Sequence, residues 1–212
     1  MRIVHGSQRF SEDLDFDDIG VSDEIFSAMI DDCIRQLAHY GLDADVSISQ
    51  KDARHAYIKV KNILTDFWLA PETREEVQEK LMIRIDSHDQ WYMFTPTVSP
   101  VLKFGIHMMI PTAPLPLLMA HKIVTIGQRK RAKWRDYFDL VFLMSKQVQP
   151  DMDYLEQMIW VATPDQVEQR LLDAYHAEDA TYLHNDVKYF LFNPYDDSIK
   201  NFAIYVQAYN RQ

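Results

Sequence analysis

The sequence predicts an α+β fold: a mixed sheet with flanking helices, followed by a helical lobe. Three observations predict it. Apolar residues alternate with polar ones in short stretches between residues 45 and 110. From about residue 115 they recur instead at helical spacing. Proline, capping residues and acidic first turns punctuate that second half as helix starts.

Taken in order, residues 3–5 and 13–17 read as short strands around a turn at Gly6-Ser7. "SDEIFSAMIDDCIRQLAHYG" reads as a helix, capped by Ser22, with acids in its first turn and Gly41 to end it. Its apolar stripe runs through Phe26, Met29, Ile30, Cys33, Ile34 and Leu37, which predicts a buried Cys33 thiol. Strand signals follow at 45–49, 55–64, 80–86 and 98–110. In 81–86, Leu81, Ile83 and Ile85 share one face, and Met82, Arg84 and Asp86 the other. "APLPLLMAHKIVTIGQ" carries Pro116 near a helix start. "RDYFDLVFLMSKQ" and "PDMDYLEQMIWVA" are two more helices, and "TPDQVEQRLLDAY" a fourth, with Thr163 as cap and Pro164 in its first position. "VKYFLFNP" fits a strand or a buried helix turn, and "SIKNFAIYVQAYNR" a fifth helix. The expected division is an α/β core over 1–114 and a helical region over 115–212, with no flexible linker between them.

The 212 residues carry a formal net charge of −10, which argues against a generic nucleic-acid coat but leaves room for a local basic patch. The single Cys33 excludes an internal disulfide framework and fits a reducing, cytoplasmic setting. No apolar run approaches the ~20 residues of a membrane span, so no membrane partner is expected.

The stretch "RFSEDLDFD" threads carboxylates through a strand-like pattern. Two positions apart, Asp13 and Asp15 project from one face, while Leu14 and Phe16 are expected to enter a core on the other. Paired carboxylates need a cation, a shared proton or a base to offset them. A Mg²⁺ or Mn²⁺ ion would serve, in metal-assisted nucleotidyl or phosphoryl transfer. An exposed acidic strand end is the plain alternative.

"HGSQRFSEDLDFD" resembles the motif of the AbiEii/AbiGii toxin family, a branch of the DNA polymerase β-type nucleotidyltransferases. The family pattern R-x-S-x-D-[IL]-D-F is met by Arg9, Ser11, Asp13, Leu14, Asp15 and Phe16. A second stretch, "LLMAHKIVTIGQRKRAKWRDYFDL", is similar to the family's later segment, with Lys122, Arg129, Arg135, Asp136, Asp139 and Leu140 in register. The resemblance spans roughly residues 1–145 and implies a nucleotidyltransferase-like sheet. It also implies Asp13 and Asp15 as catalytic metal ligands, Ser11, Lys122, Arg135 and Asp136 at the nucleotide, and a nucleoside triphosphate substrate. Lys122, on an apolar helix, needs a partner, which a triphosphate or a structural salt bridge would supply. Asp136 and Asp139, one turn apart, fit a shared site or a helix-start charge with an Arg135 pair. His5, His88, His107 and His121 show no metal-ligand spacing.

Two departures from the family pattern stand out. Its Gly-Gly-Ser/Thr turn falls upstream of the positions of Met1 and Arg2, so the chain is expected to lack it. An N-terminal helix is expected to be missing too, leaving an exposed apolar groove. The third carboxylate of the family aligns with Arg84. Asp86, on the same strand face about 7 Å further along, can stand in for it. Alternatively Arg84 pairs with Asp13 or Asp15 and replaces the ion.

Two main functions follow. One is a metal-dependent toxin that transfers a nucleotide to RNA, with tRNA among the candidate acceptors and a cognate antitoxin as partner. The basic run "QRKRAKWR" would then meet RNA through Arg129, Lys130, Arg131 and Lys133, with Trp134 among them, unless it is only a solvated connection. The other is an inactive or impaired relative that keeps the fold and binds a partner. Nucleotidylation or phosphorylation of a small molecule is a third, weaker reading.

Overall fold

The computed structural model describes residues 1–11, 13–49, 54–63, 81–103, 105–129, 133–179, 183, 185 and 187–211. Residues 64 and 80 of the expected strands lie outside these, as does Phe104. The chain divides into two compact units, residues 12–93 and residues 1–11 with 94–212.

The first unit is a four-stranded mixed sheet with one helix. β1 (Asp13–Asp18) leads into α1 (Asp23–His39), then β2 (Ala44–Ser49), β3 (Arg54–Val60) and β4 (Leu81–Asp89). The strand order is β1-β4-β3-β2, with β1 parallel to β4 and the other pairs antiparallel. Helix α1 begins where a side chain can satisfy its first amides: the Ser22 hydroxyl accepts from the Ile25 N–H. It ends at Gly41, whose φ of 78° suits a residue without Cβ, and whose N–H reaches the Ala38 carbonyl.

Alternation along the strands separates two faces of this sheet. Phe26 and Ile30 of α1 pack on Ala56, Ile58 and Val60 of β3 and Ile85 of β4, and this is the unit's core. Each large side chain there contributes about 1.5–3 kcal/mol by leaving water. The opposite face carries Asp13 and Asp15, with Arg84 and Asp86 beside them in register.

Two expectations fail here. Leu14 and Phe16 point to the core side but stay 38% and 52% exposed. They stand on an edge strand, and α1 packs over β2 and β3 rather than over β1. Cys33 is a free, exposed thiol, because the helix buries only Phe26 and Ile30 fully and leaves Met29 and Ile25 on the open side.

The second unit is mainly helical. Residues 3–5 are not a strand: Arg2–His5 forms a single helical turn, closed by the His5 N–H on the Met1 carbonyl and ended by Gly6 at φ 80°. The Ile-Val pair reads as a strand, but no strand among the described residues pairs with it, and Gly6-Ser7 follows a helical turn instead of closing a hairpin. Residues 8–10 instead run beside 190–192, where the Phe10 N–H meets the Phe190 carbonyl and Arg9 bridges Leu191. The stretch "VKYFLFNP" accordingly holds a 3₁₀ turn over Lys188–Phe190 and this bridge.

The single strand expected at 98–110 is an antiparallel hairpin, β5 (Thr97–Lys103) and β6 (Ile106–Thr112), with Gly105 at φ 74°. Helices follow: α3 (Leu115–Gln128), α4 (Trp134–Ser145), α5 (Met152–Ile159), α6 (Pro164–His176) and α7 (Phe202–Asn210), the Arg2–His5 turn being α2. Helix α3 is buried on most sides, through Leu117, Met119, Ala120, Ile123, Val124 and Ile126, because α4, α5 and α6 all pack on it. Thr163 and Gln166 form a reciprocal capping box at the start of α6. No helix among the described residues is long and apolar enough to cross a membrane.

Candidate functional site

The parallel register of β1 and β4 builds an acidic cluster. Asp15 stands opposite Asp86 and Asp13 opposite Arg84, so three carboxylates share one sheet face. Asp13, Asp15 and Asp86 each bring an oxygen within 4.8 Å of the other two. Oxygens on opposite sides of one hard dication lie about 4–5 Å apart, so the donor set fits Mg²⁺ or Mn²⁺ in both chemistry and span. Asp86 is buried and Asp15 exposed, which leaves the cluster open to solvent on the β1 side.

Asp86 is held by two neighbours. Its Oδ1 accepts from Arg84 Nε at 2.8 Å and lies 2.6 Å from His55 Nδ1. Burial alone would raise the Asp86 carboxyl, but these two partners outweigh it and hold the group below the usual carboxylate range. With Asp86 ionised, His55 must carry a proton on Nδ1. Both contacts fall on Oδ1, so Oδ2 is the oxygen left to face an ion. The Asp86 hydrogen bond in turn raises the Arg84 guanidinium, which also sits 5.7 Å from the Tyr57 ring centre.

A second acidic group in the same unit shows what a closed cluster looks like. Arg54 donates to Asp18 at 2.7 Å, to Asp23 at 2.9 Å and to Asp89 at 2.9 Å. Asp18 also accepts from the Ser87 hydroxyl at 2.7 Å. These acids have their cation within the fold, and they lie on the core side of the strands. In the Asp13, Asp15 and Asp86 cluster, Arg84 pairs with Asp86.

The later motif lies in the helical unit and forms its own network. Lys122 of α3 donates to Asp136 at 2.9 Å and lies 3.1 Å from Asp139, both on α4. Asp139 is fully buried, and Arg9 grips both its oxygens at 2.7 Å. Arg129 reaches the other oxygen of Asp136 at 2.5 Å. Burial would depress the Lys122 ammonium, but the carboxylates of Asp139 and Asp136 outweigh it and raise it. Burial would likewise raise Asp139, and Arg9 with Lys122 brings it below its usual range. The salt-bridge reading of Lys122 thus has its partners, and the Asp136 partners shown are Lys122 and Arg129.

Among the other expected site residues, Ser11 is exposed next to the start of β1, and Arg135 is half-buried in the first turn of α4. Arg129 and Lys133 are exposed at the ends of the α3–α4 connection. Lys130 and Arg131 lie outside the described residues. Trp134 is not an open aromatic: it is buried, stacked on Phe190 at 5.2 Å, with the Arg9 guanidinium 5.7 Å from its ring. His55 is the site residue that sequence reasoning missed. Its only signal was strand phase, since the antiparallel β3–β4 register sets it opposite Asp86.

A family model described as nucleotidyl transferase AbiEii toxin, type IV toxin–antitoxin system, matches residues 1–188. A comparison with curated proteins finds no match.

Proposed function

The chain belongs to the AbiEii nucleotidyl transferase toxin family, and from that premise we propose that it transfers a nucleotide from a nucleoside triphosphate to an RNA acceptor, with Mg²⁺ or Mn²⁺ held by Asp13, Asp15 and Asp86. The observation that carries this reading is the register of β1 on β4, which gathers three carboxylates on one face within the span of one ion. A bound dication would supply charge neutralisation at the phosphates and at the attacking and leaving oxygens. The residues of the chain supply its seat. Asp13 and Asp15 offer oxygens from the open edge strand, and Arg84 with His55 fixes the orientation and ionised state of Asp86. On the family motif, Ser11, Lys122, Arg135 and Asp136 serve the nucleotide. Lys122 has three N–H donors and spends two on carboxylates, which leaves one for a phosphate oxygen. A cognate antitoxin is the functional partner that this reading implies.

The test is transfer of label from each α-labelled nucleoside triphosphate to bulk RNA with Mg²⁺. Labelling that Asp15→Ala abolishes supports the reading. A second reading, an impaired relative that only binds, is favoured by Arg84, which occupies the aligned position of the third carboxylate and contacts Asp86. It predicts metal binding without labelling.

A further inference from the structure

Helix α3 ends at a surface where three unusual features gather, all within the helical unit. Trp160 caps α5 in the left-handed conformation, at φ 57° and ψ 38°. A bulky residue is rare there, since glycine or asparagine fits without strain. Trp160 is 86% exposed, so packing within the described residues does little to repay that strain. Arg170 of α6 lies against Gly127 so closely that a Cβ on the glycine would sit 2.5 Å from Arg170 Nε. That Nε is buried without an acceptor among the described residues. On the same helix, Asp165 and Glu168 turn instead to Asn210 of α7. The α5 and α3 ends touch, the Gln128 side-chain amide lying 3.5 Å from the Met158 carbonyl. Arg129 follows Gln128 directly, with one side of its guanidinium on Asp136 and the rest exposed.

We propose that this surface is a contact for single-stranded RNA, with Trp160 stacking a base and Arg170 and Arg129 taking phosphates. It rests on the RNA acceptor of the proposed function and gives that acceptor a place on the chain. Arg170 Nε has no acceptor among the described residues, and Arg129 keeps part of its guanidinium exposed beside Asp136; in a chain of net charge −10 two such cations favour a polyanion. An exposed indole two residues beyond Met158, whose carbonyl meets Gln128, favours one with planar bases over an acidic peptide. Trp160 fills the role that the basic run suggested for Trp134, which is buried.

The full chain is titrated with a fluorescein-labelled 12-nucleotide single-stranded RNA, without nucleotide or metal, at several salt concentrations. Trp160→Gly should weaken binding about tenfold to a hundredfold, as loss of one base stack does, while Trp160→Phe retains most of it. Arg170→Gln should lower the slope of log affinity against log salt by about 0.7, one phosphate contact on a single strand. Both variants should keep the wild-type circular dichroism spectrum and Mn²⁺ affinity. Wild-type RNA affinity in Trp160→Gly and Arg170→Gln overturns the proposal, as does competition by polyglutamate equal to that by RNA. Failure of nucleotide transfer with these binding losses intact refutes the transferase reading and leaves the RNA contact standing.

Discussion

Replacing Arg84 by glutamine should tighten, not weaken, the binding of a divalent ion. Arg84 Nε lies 2.8 Å from the Asp86 oxygen it shares with His55. An ion about 2.1 Å from its carboxylate oxygens would stand roughly 5 Å from that guanidinium. Repulsion between a single and a double positive charge at about 5 Å is about 1.7 kcal/mol in water and nearly 7 kcal/mol at an effective dielectric of about 20. The Arg84 side chain is 44% exposed, so the watery limit governs. Relief of about 1.5 kcal/mol corresponds to about tenfold in affinity. Glutamine keeps a side-chain N–H donor for Asp86 and removes only the charge. The assay is Mn²⁺ titration followed by electron paramagnetic resonance at pH 7 and fixed ionic strength. A gain of about tenfold that shrinks as salt rises is the expected result. Unchanged or weaker binding would refute the argument, and would mean that Arg84 holds Asp86 in place more than it repels the ion.

Asp13→Ala with Asp15→Ala should abolish Mn²⁺ binding in the same titration, and a double variant that binds like the wild type would rule out the cluster as a metal seat. Asp139→Asn leaves Arg9 and Lys122 without their buried counter-charge and should destabilise the protein by about 3–5 kcal/mol in denaturant unfolding. Because Asp139 is held below its unfolded value near pH 4, its contribution is complete above that pH. The contribution falls away as pH drops through the lower folded value, and the Asp139→Asn variant should lack this acid-dependent loss when unfolding midpoints are compared from pH 6 to pH 3. Trp160→Gly should raise stability by about 1 kcal/mol by relieving the left-handed strain, and a lower melting temperature would show that the indole packs usefully after all.

The sequence by itself determined the elements and the chemistry of the acidic motif. Strand β1 and the long helix after it were legible because alternation, the Ser22 cap and Gly41 all act over a few residues. The same local signals marked α3 to α6, with Thr163 as a cap. That Asp13 and Asp15 share a face follows from the pleat of a strand. Only the tertiary structure decided what stands beside them. Strand register brought Asp86 opposite Asp15 and His55 opposite Asp86, and pairing between strands some seventy residues apart leaves no local trace. The edge position of β1 left Leu14 and Phe16 exposed, although their pattern is that of core residues. Helix packing gave Lys122 its two carboxylates and hid Trp134 while leaving Trp160 open, and the sequence holds the same indole at both positions. Burial is a property of what neighbours an element, and neighbours are chosen by the whole chain.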